Sequence, residues 1–410
     1  MAVTTLLLRG GRVLRTGAPH PERLDIAIDS DGRIARLASQ LAAVSRAREI
    51  DLGGRLVTPG MIDVHQHLDK TRTRGSIPNP DGTLLGAIKA FSQYAKTASR
   101  EDIMARAERT LAACVARGTV ALRTHANLDS DLEMRGVEAL IEMRERWRDR
   151  VHLQVVAFVT SGAVNGRDVR ERLDAAIRAG ADVVGGTPAI ADDPKAFVDD
   201  LFAVAARHGR RLDLHLDEHL DASRQHFDLV IERTRALGMQ GRVVVGHCCV
   251  LSALPRSDAQ RLCDGLAKAG IGTITLPAAN LFLQGRDAEM LTPRGLTRVP
   301  ELRAAGVPVA CASDNTQDPF IPSGSGDMVE MARWTFLAGH LASHELRHAL
   351  EMATTIPARF MGLADSYGVH EGARADLLIT DAEDAEDLVA SGPLERTVLF
   401  GGKVVAGRLA

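Results

Sequence analysis

His65 and His67 flank Gln66 directly after an apolar run, Met61-Ile62-Asp63-Val64, that reads as a buried strand. On an extended chain the side chains at i and i+2 point to the same side, so both imidazoles can reach one ion. Two surface histidines at a strand end would show the same spacing, so the reading needs support from elsewhere in the chain. Four more residues supply it: His125, His215, His247 and Asp314 each stand at the carboxyl end of another predicted strand. Neutral imidazoles and one carboxylate suit Zn2+ or Fe2+, and three His with one Asp leave a coordination position open to water. Such an ion lowers the acidity threshold of bound water and gives a hydroxide nucleophile near neutral pH. Attack on an sp2 carbon also needs a proton shuttle, and Glu218, in His215-Leu216-Asp217-Glu218, is placed to take a proton from water and pass it to a leaving group. The plainer alternative for Glu218 is a carboxylate at a helix start. His247 is then the group that steadies a developing oxyanion.

The lysines narrow the metal count. There are six, at 70, 89, 96, 195, 268 and 403, and none falls between Lys96 and Lys195. Two-metal barrels of this general type bridge their ions with a carboxylated lysine from a central strand, which this chain cannot supply at its third or fourth strand. One divalent transition metal, Zn or Fe, is predicted. Two competing motifs carry less. His344-Glu345-Leu346-Arg347-His348 matches HExxH, in which two histidines one helical turn apart bind zinc, but no third ligand follows it and a solvated helix face explains it. The base-deaminating enzymes of nucleic acids need a CxxC, and Cys248 and Cys249 are adjacent.

A site drawn from so many strand ends needs elements that converge. Eight short apolar runs alternate with helical patterns: Met61 to Val64, Val120 to Leu122, Val151 to Phe158, Asp182 to Val184, Leu212 to Leu214, Val243 to Val245, Ile271 to Ile274 and Val307 to Ala310. Asp102 to Arg117, Lys195 to Ala206 and Gln260 to Ala269 repeat their apolar residues at the helical period. Eight strands and intervening helices over roughly 250 residues predict a (β/α)8 barrel, whose sites form at the carboxyl ends of the strands. A doubly wound sheet is the competing architecture. The first fifty-odd residues and the last forty-odd read as strands and tight turns, with Asp31-Gly32 a strong hairpin signal. The expected organisation is an α/β chain with a TIM barrel at 58–365 and a small β-sandwich domain built from both termini, 1–57 with 366–410.

Length and composition agree. A chain of 410 residues has room for one large α/β domain and a smaller partner. With 45% hydrophobic residues and no low-complexity tract it is neither disordered nor repetitive. The net charge of -3, without a run of like charges, leaves no electrostatic footprint for nucleic acid or an anionic membrane. Five cysteines without framework spacing suggest reduced thiols, and the absence of a long apolar stretch or signal segment completes the expectation of a soluble cytoplasmic protein. Self-association into a homo-oligomer is left open.

Taken together, His65-Gln66-His67-Leu68-Asp69, Arg123-Thr124-His125, Ala181-Asp182-Val183-Val184-Gly185, His215-Leu216-Asp217-Glu218, Asn280-Leu281-Phe282-Leu283-Gln284-Gly285-Arg286, Arg294-Gly295-Leu296-Thr297-Arg298 and Ser313-Asp314-Asn315 resemble the amidohydrolase superfamily, in its cytosine deaminase-like branch, over nearly the whole chain. The resemblance implies a barrel with a terminal β-domain and a mononuclear site of His65, His67, His215 and Asp314. It also implies Glu218 as proton shuttle, His247 and Asp314 as catalytic partners, and hydrolysis of a carbon–nitrogen bond on a pyrimidine, triazine or related ring. Leu84, Thr160, Ser161, Gln284 and Asn315 are the expected substrate contacts. Similar enzymes grip the ring amide with a Gln where this chain has Thr160, and carry Asp where it has Asn127 and Asn315. Those departures point away from cytosine itself. The sequence therefore predicts a metal-dependent deaminase of a cytosine-like nitrogen heterocycle, releasing ammonia. The alternative is cleavage of an N-alkylamino bond, as in N-isopropylammelide, or of a cyclic amide. A metal-free binding protein on the same barrel is disfavoured because every ligand position is kept.

Overall fold

A computed structural model describes residues 3–128, 131–160, 166–290 and 294–409. Its strands, in chain order, are β1 (Thr4–Val13), β2 (Glu22–Asp29), β3 (Ile34–Ala38), β4 (Arg48–Asp51), β5 (Leu56–Pro59), β6 (Met61–Gln66), β7 (Thr119–Asn127), β8 (His152–Val159), β9 (Val183–Gly186), β10 (Arg211–Leu216), β11 (Val243–His247), β12 (Gly272–Thr275), β13 (Val309–Cys311), β14 (Leu377–Thr380), β15 (Arg396–Phe400) and β16 (Lys403–Ala406). β6 to β13 form one parallel sheet in sequential order, and they coincide with the eight apolar runs. Their residues are almost all buried, as expected for strands covered on both faces. The helices between them start at ordinary caps. Ser99 accepts from the Asp102 N–H and opens Arg100–Ala116, which buries Ile103, Ala107, Leu111 and Val115. Asp193, followed by Pro194 in the first turn, opens Pro194–Arg207.

The sheet nearly closes. Just beyond β13, the Asp314 N–H donates to the His65 carbonyl at 2.8 Å, and Gln66 and Asp314 make an isolated parallel bridge. The Asp63 carboxylate accepts from the Ser313 backbone N–H at 3.2 Å and from its hydroxyl at 2.5 Å. The first and last strands of the barrel are thus joined through the residues that carry two of the predicted metal ligands.

The two termini build a second, separate sheet, in the order β16-β15-β14-β5-β1-β2-β3, with β4 beside β1. The sequence predicts a small β-sandwich domain from both termini; the terminal strands do form a separate sheet, which hydrogen bonding traces as one continuous path. The reason lies in β1, which bonds β2 along one side and, on the other, β4 through Leu6 to Arg9 and then β5 through Arg12 and Val13. The sheet rolls until its two edge hairpins meet. Ala375 N–H donates to the Gly32 carbonyl at 2.8 Å, and Gly402 N–H to the Ala375 carbonyl at 3.0 Å. Gly32 has φ 73°, and a Cβ there would lie 2.4 Å from the Gly401 carbonyl oxygen, so no side chain fits between the two turns. Ile26, Ile28, Ile34, Leu377, Ile379 and Leu399 share one apolar cluster inside the roll. Among the described residues no helix is long and apolar enough to cross a membrane.

Candidate active site

The carboxyl ends of the barrel strands bring five histidines and two carboxylates together. His65 and His67 come from β6 and its end, His125 from β7, His215 from β10, His247 from β11, Glu218 from just past β10 and Asp314 from just past β13; all are buried. The Nε2 atoms of His65 and His67 lie 3.2 and 3.1 Å from His215 Nε2, and 3.6 and 3.3 Å from Asp314 Oδ1. Tetrahedral ligands at zinc–nitrogen distances of about 2.0–2.1 Å stand about 3.4 Å apart, so these four distances match ligands sharing one ion; donor atoms also converge as His65, His215, His247 and Asp314, and as His65, His67 and His125. Burial first, and then surrounding charged or titratable groups, holds His65, His67 and His215 well below the ordinary imidazole range, so their lone pairs are available to a cation. Asp314 Oδ1 is buried without a hydrogen-bond partner among the described residues. The donor set fits a divalent transition metal, and zinc and iron both accept such N and O ligands.

Backbone geometry at these ends is unusual. His247, Cys248 and Asp314 have φ of 65°, 51° and 60°, a left-handed conformation that side chains with a Cβ rarely adopt. Such strain collects where a side chain must be aimed against local preference. Gly246, just before His247, has no Cβ to meet the His65 ring, which would lie 3.1 Å away.

Around the four donors stands a supporting layer. Asp213 Oδ1 lies 3.2 Å from His125 Nε2 and 3.8 Å from His65 Nδ1, and its Oδ2 accepts from Arg123 Nη1 at 2.7 Å. Arg123 is fully buried and also donates to the Phe360 carbonyl at 2.7 Å and to Gln154 Oε1. Burial works against ionisation of Asp213, but the charges and hydrogen bonds of His125 and Arg123 outweigh it and hold the carboxyl below its usual range. His247 is engaged differently from the four donors: its Nδ1 lies 3.2 Å from Asn280 Nδ2 and 3.3 Å from Glu218 Oε1. Burial, and then the Asp314 charge, push the Glu218 carboxyl well above the usual range, partly offset by Lys70.

These groups face a cavity of about 600 Å3 including its mouth. Of the expected substrate contacts, Leu84, Thr160 and Asn315 line it. Gln284 does not: its side-chain amide donates to the Glu218 backbone carbonyl at 3.1 Å, so it holds the strand-end turn that carries Glu218. Ser161 lies outside the described residues. The cavity also takes in residues the sequence reading did not select, chiefly Lys70, Phe91, Phe158 and Phe320. The HExxH segment is not a site. Ser343–Glu345 is a single 3-10 turn, Glu345 is paired with Arg303 and accepts from the Ala342 N–H, and His348 is paired with Glu351. His65→Ala should abolish stoichiometric metal binding and His344→Ala should leave it intact, as measured by elemental analysis of the purified proteins. The reverse pattern would move the metal site to the late helix.

A nearly closed parallel barrel with this His/Asp set at its strand ends defines a class of hydrolase. The model of the Amidohydrolase family matches residues 48–178 and 138–406, and the chain belongs to that family. It is accordingly a hydrolase acting on non-peptide carbon–nitrogen bonds. It is 34% identical over 386 residues to the pterin deaminase of Rhizobium rhizogenes, covering 93% of this chain and 88% of the relative. It superposes on 5-methylcytosine deaminase from Klebsiella pneumoniae, in complex with 5-fluorocytosine, with a TM-score of 0.90, 32% identity and coverage of 99% and 98% of the two chains. It likewise matches N-isopropylammelide isopropylaminohydrolase from Burkholderia multivorans with a TM-score of 0.85, 35% identity and full coverage of both.

Proposed function

We propose that the protein is a mononuclear metal-dependent deaminase that hydrolyses the exocyclic amino group of a small, flat nitrogen heterocycle. The observation that carries this is the geometry: the buried Glu218 carboxyl stands 3.3 Å from His247 Nδ1 and lines one cavity with His67, His215 and Asp314. A divalent ion held by His65, His67, His215 and Asp314 supplies Lewis acidity, which makes water nucleophilic near neutral pH. The residues of the chain do the rest. Glu218 accepts the proton released by water at a carboxylate oxygen and delivers it to the departing nitrogen, so that a C–O bond replaces the C–N bond and ammonia leaves. His247 is held neutral, pushed down to about 3 by burial and then by His125. The Asn280 amide nitrogen lies 3.2 Å from its Nδ1; in the tautomer in which Nδ1 accepts there, Nε2 carries the proton and would donate to the oxygen that gains charge during attack. Phe158 stands edge-on to His67 and His125 and tilted over His215, and it forms one wall against which a flat ring can pack.

A second reading has its own support. The apolar wall of Leu84, Ile88, Phe91 and Ile190 could seat an alkyl substituent, and one full-length structural neighbour is an isopropylaminohydrolase. One assay separates the two: the metal-loaded protein is incubated with aminopyrimidines, aminotriazines, pterins and their N-alkylamino analogues, and free ammonia and alkylamine are quantified. Ammonia released faster than any alkylamine is expected. Alkylamine release alone would replace deamination by N-dealkylation, and neither product from any compound would sink the proposal.

A further inference from the structure

Lys70 follows the metal-ligand strand by a few residues, and it is only 3% exposed. Its position is fixed: the Thr73 hydroxyl donates to the Lys70 carbonyl at 2.6 Å, and the neighbouring Asp69 carboxylate accepts the Asn127 N–H at 3.0 Å. The Lys70 ammonium donates to Asn127 Oδ1 at 3.0 Å and stands between two aromatic faces, 4.9 Å from the ring centres of both Phe91 and Phe320. Lys70, Phe91, Phe320 and Asn127 all line the same cavity as Glu218 and His247. An ammonium has three donors, and the described residues supply a hydrogen-bond acceptor to one of them. No carboxylate among the described residues lies within 4.0 Å of it. Two phenyl faces compensate a buried cation only in part, because a desolvated ammonium gains more from an oxygen that carries charge.

We infer that Lys70 is the specificity-determining cation of this site, and that it binds an acceptor oxygen of the substrate, a ring carbonyl or its deprotonated oxyanion. The inference rests on the proposed deaminase reading and sharpens its substrate class to aminoheterocycles that also carry an oxo group. Phe91 and Phe320 hold the ammonium where an apolar ring can slide past them, and Asn127 fixes its height. A ring whose edge there is a donor, or a C–H, would leave the ammonium with Asn127 Oδ1 as its one acceptor among the described residues and meet a penalty. Lys70 does not touch the reacting carbon in this scheme. It sets which heterocycle lies flat over the metal shell.

The test compares matched probes on the metal-loaded protein: cytosine with 4-aminopyrimidine, pterin with 2-aminopteridine, and ammelide with 2-amino-1,3,5-triazine. Binding is read as ligand-induced thermal shift and as displacement, neither of which requires turnover. In the wild type at least one oxo-bearing probe should bind more tightly than its oxo-free partner. Lys70→Met should weaken that oxo-bearing probe by about 10- to 100-fold and leave the oxo-free partner within about 2-fold. Lys70→Arg should restore part of the difference. Where turnover is measurable, the Met variant should raise KM more than it lowers kcat. Equal affinity of the wild type for the members of every pair would overturn the inference without using a variant. So would equal loss of both members in Lys70→Met, which is the mark of a merely structural role. Tight oxo-selective binding without ammonia release would instead leave Lys70 as assigned and remove the deaminase reading.

Discussion

Glu218→Gln is expected to lower kcat by about 10^2- to 10^4-fold while metal stoichiometry stays at the wild-type value. The substitution keeps the shape and one carbonyl oxygen of the side chain, and the Gln284 contact to the Glu218 backbone carbonyl does not depend on the carboxyl. What is lost is the ability to take up and give back a proton beside the metal shell. The pair with His247 at 3.3 Å loses its ionisable member, so the rate should fall without a matching change in KM. Steady-state kinetics on the best substrate of the panel, with elemental analysis of the same sample, decides it. Near-normal turnover in Glu218→Gln would mean that another group moves the proton.

The second large effect concerns stability. Arg123→Leu should destabilise the fold by about 3–5 kcal/mol, because it leaves the buried Asp213 carboxylate with His125 alone and strips the Phe360 carbonyl and Gln154 Oε1 of their donor. Both side chains are fully buried, so water cannot take over. Asp213→Asn combined with Arg123→Leu should recover part of the loss, since no charge is then stranded. The pH dependence has a definite sign. Asp213 in the folded protein lies below its ordinary value of 3.8, held there by His125 and then Arg123, so the part that Arg123 contributes is fully present above that value and is lost as pH falls through the depressed one. The gap between wild type and Arg123→Leu should therefore be widest near neutrality and narrow in strong acid. Urea unfolding of both proteins across pH measures this, and a constant gap below about 1 kcal/mol would show that Arg123 contributes little to the barrel.

The barrel was legible because each of its strands is a short apolar run between amphipathic helices, and because chemistry-bearing residues stand where those runs end. The supporting layer was legible by a rule applied only once. Side chains two apart on a strand share a side, and that logic, used for His65 and His67, also pairs Arg123 with His125 and Asp213 with His215. Asp213 in fact lies beside His125 and pairs with Arg123. Gln284 shows the opposite limit. Its motif marks a functional region, yet nothing local says whether its amide reaches substrate or a backbone carbonyl 66 residues away. The role of Lys70 is not legible in the sequence, because its surroundings, Phe91, Asn127 and Phe320, come from three separate parts of the chain. The single rolled terminal sheet was hidden for a related reason. A strand that changes partner halfway along, as β1 does between β4 and β5, leaves no mark on its hydrophobic pattern.

The seam of the barrel and the roll of the terminal sheet also set an order of events during synthesis. His65 and His67 leave the ribosome early, but the proposed donor set is not complete until Asp314 has emerged and its N–H has found the His65 carbonyl. β5 waits longer still, since Leu56 to Pro59 pair with Thr380 to Leu377 near the other end of the chain. β5 and β6, made early, are thus among the last strands to be fully paired, and an unfinished chain exposes their edges while it lacks Asp314. Interrupted translation products of this protein should be aggregation-prone and catalytically silent, which makes the last forty residues a checkpoint on the whole molecule.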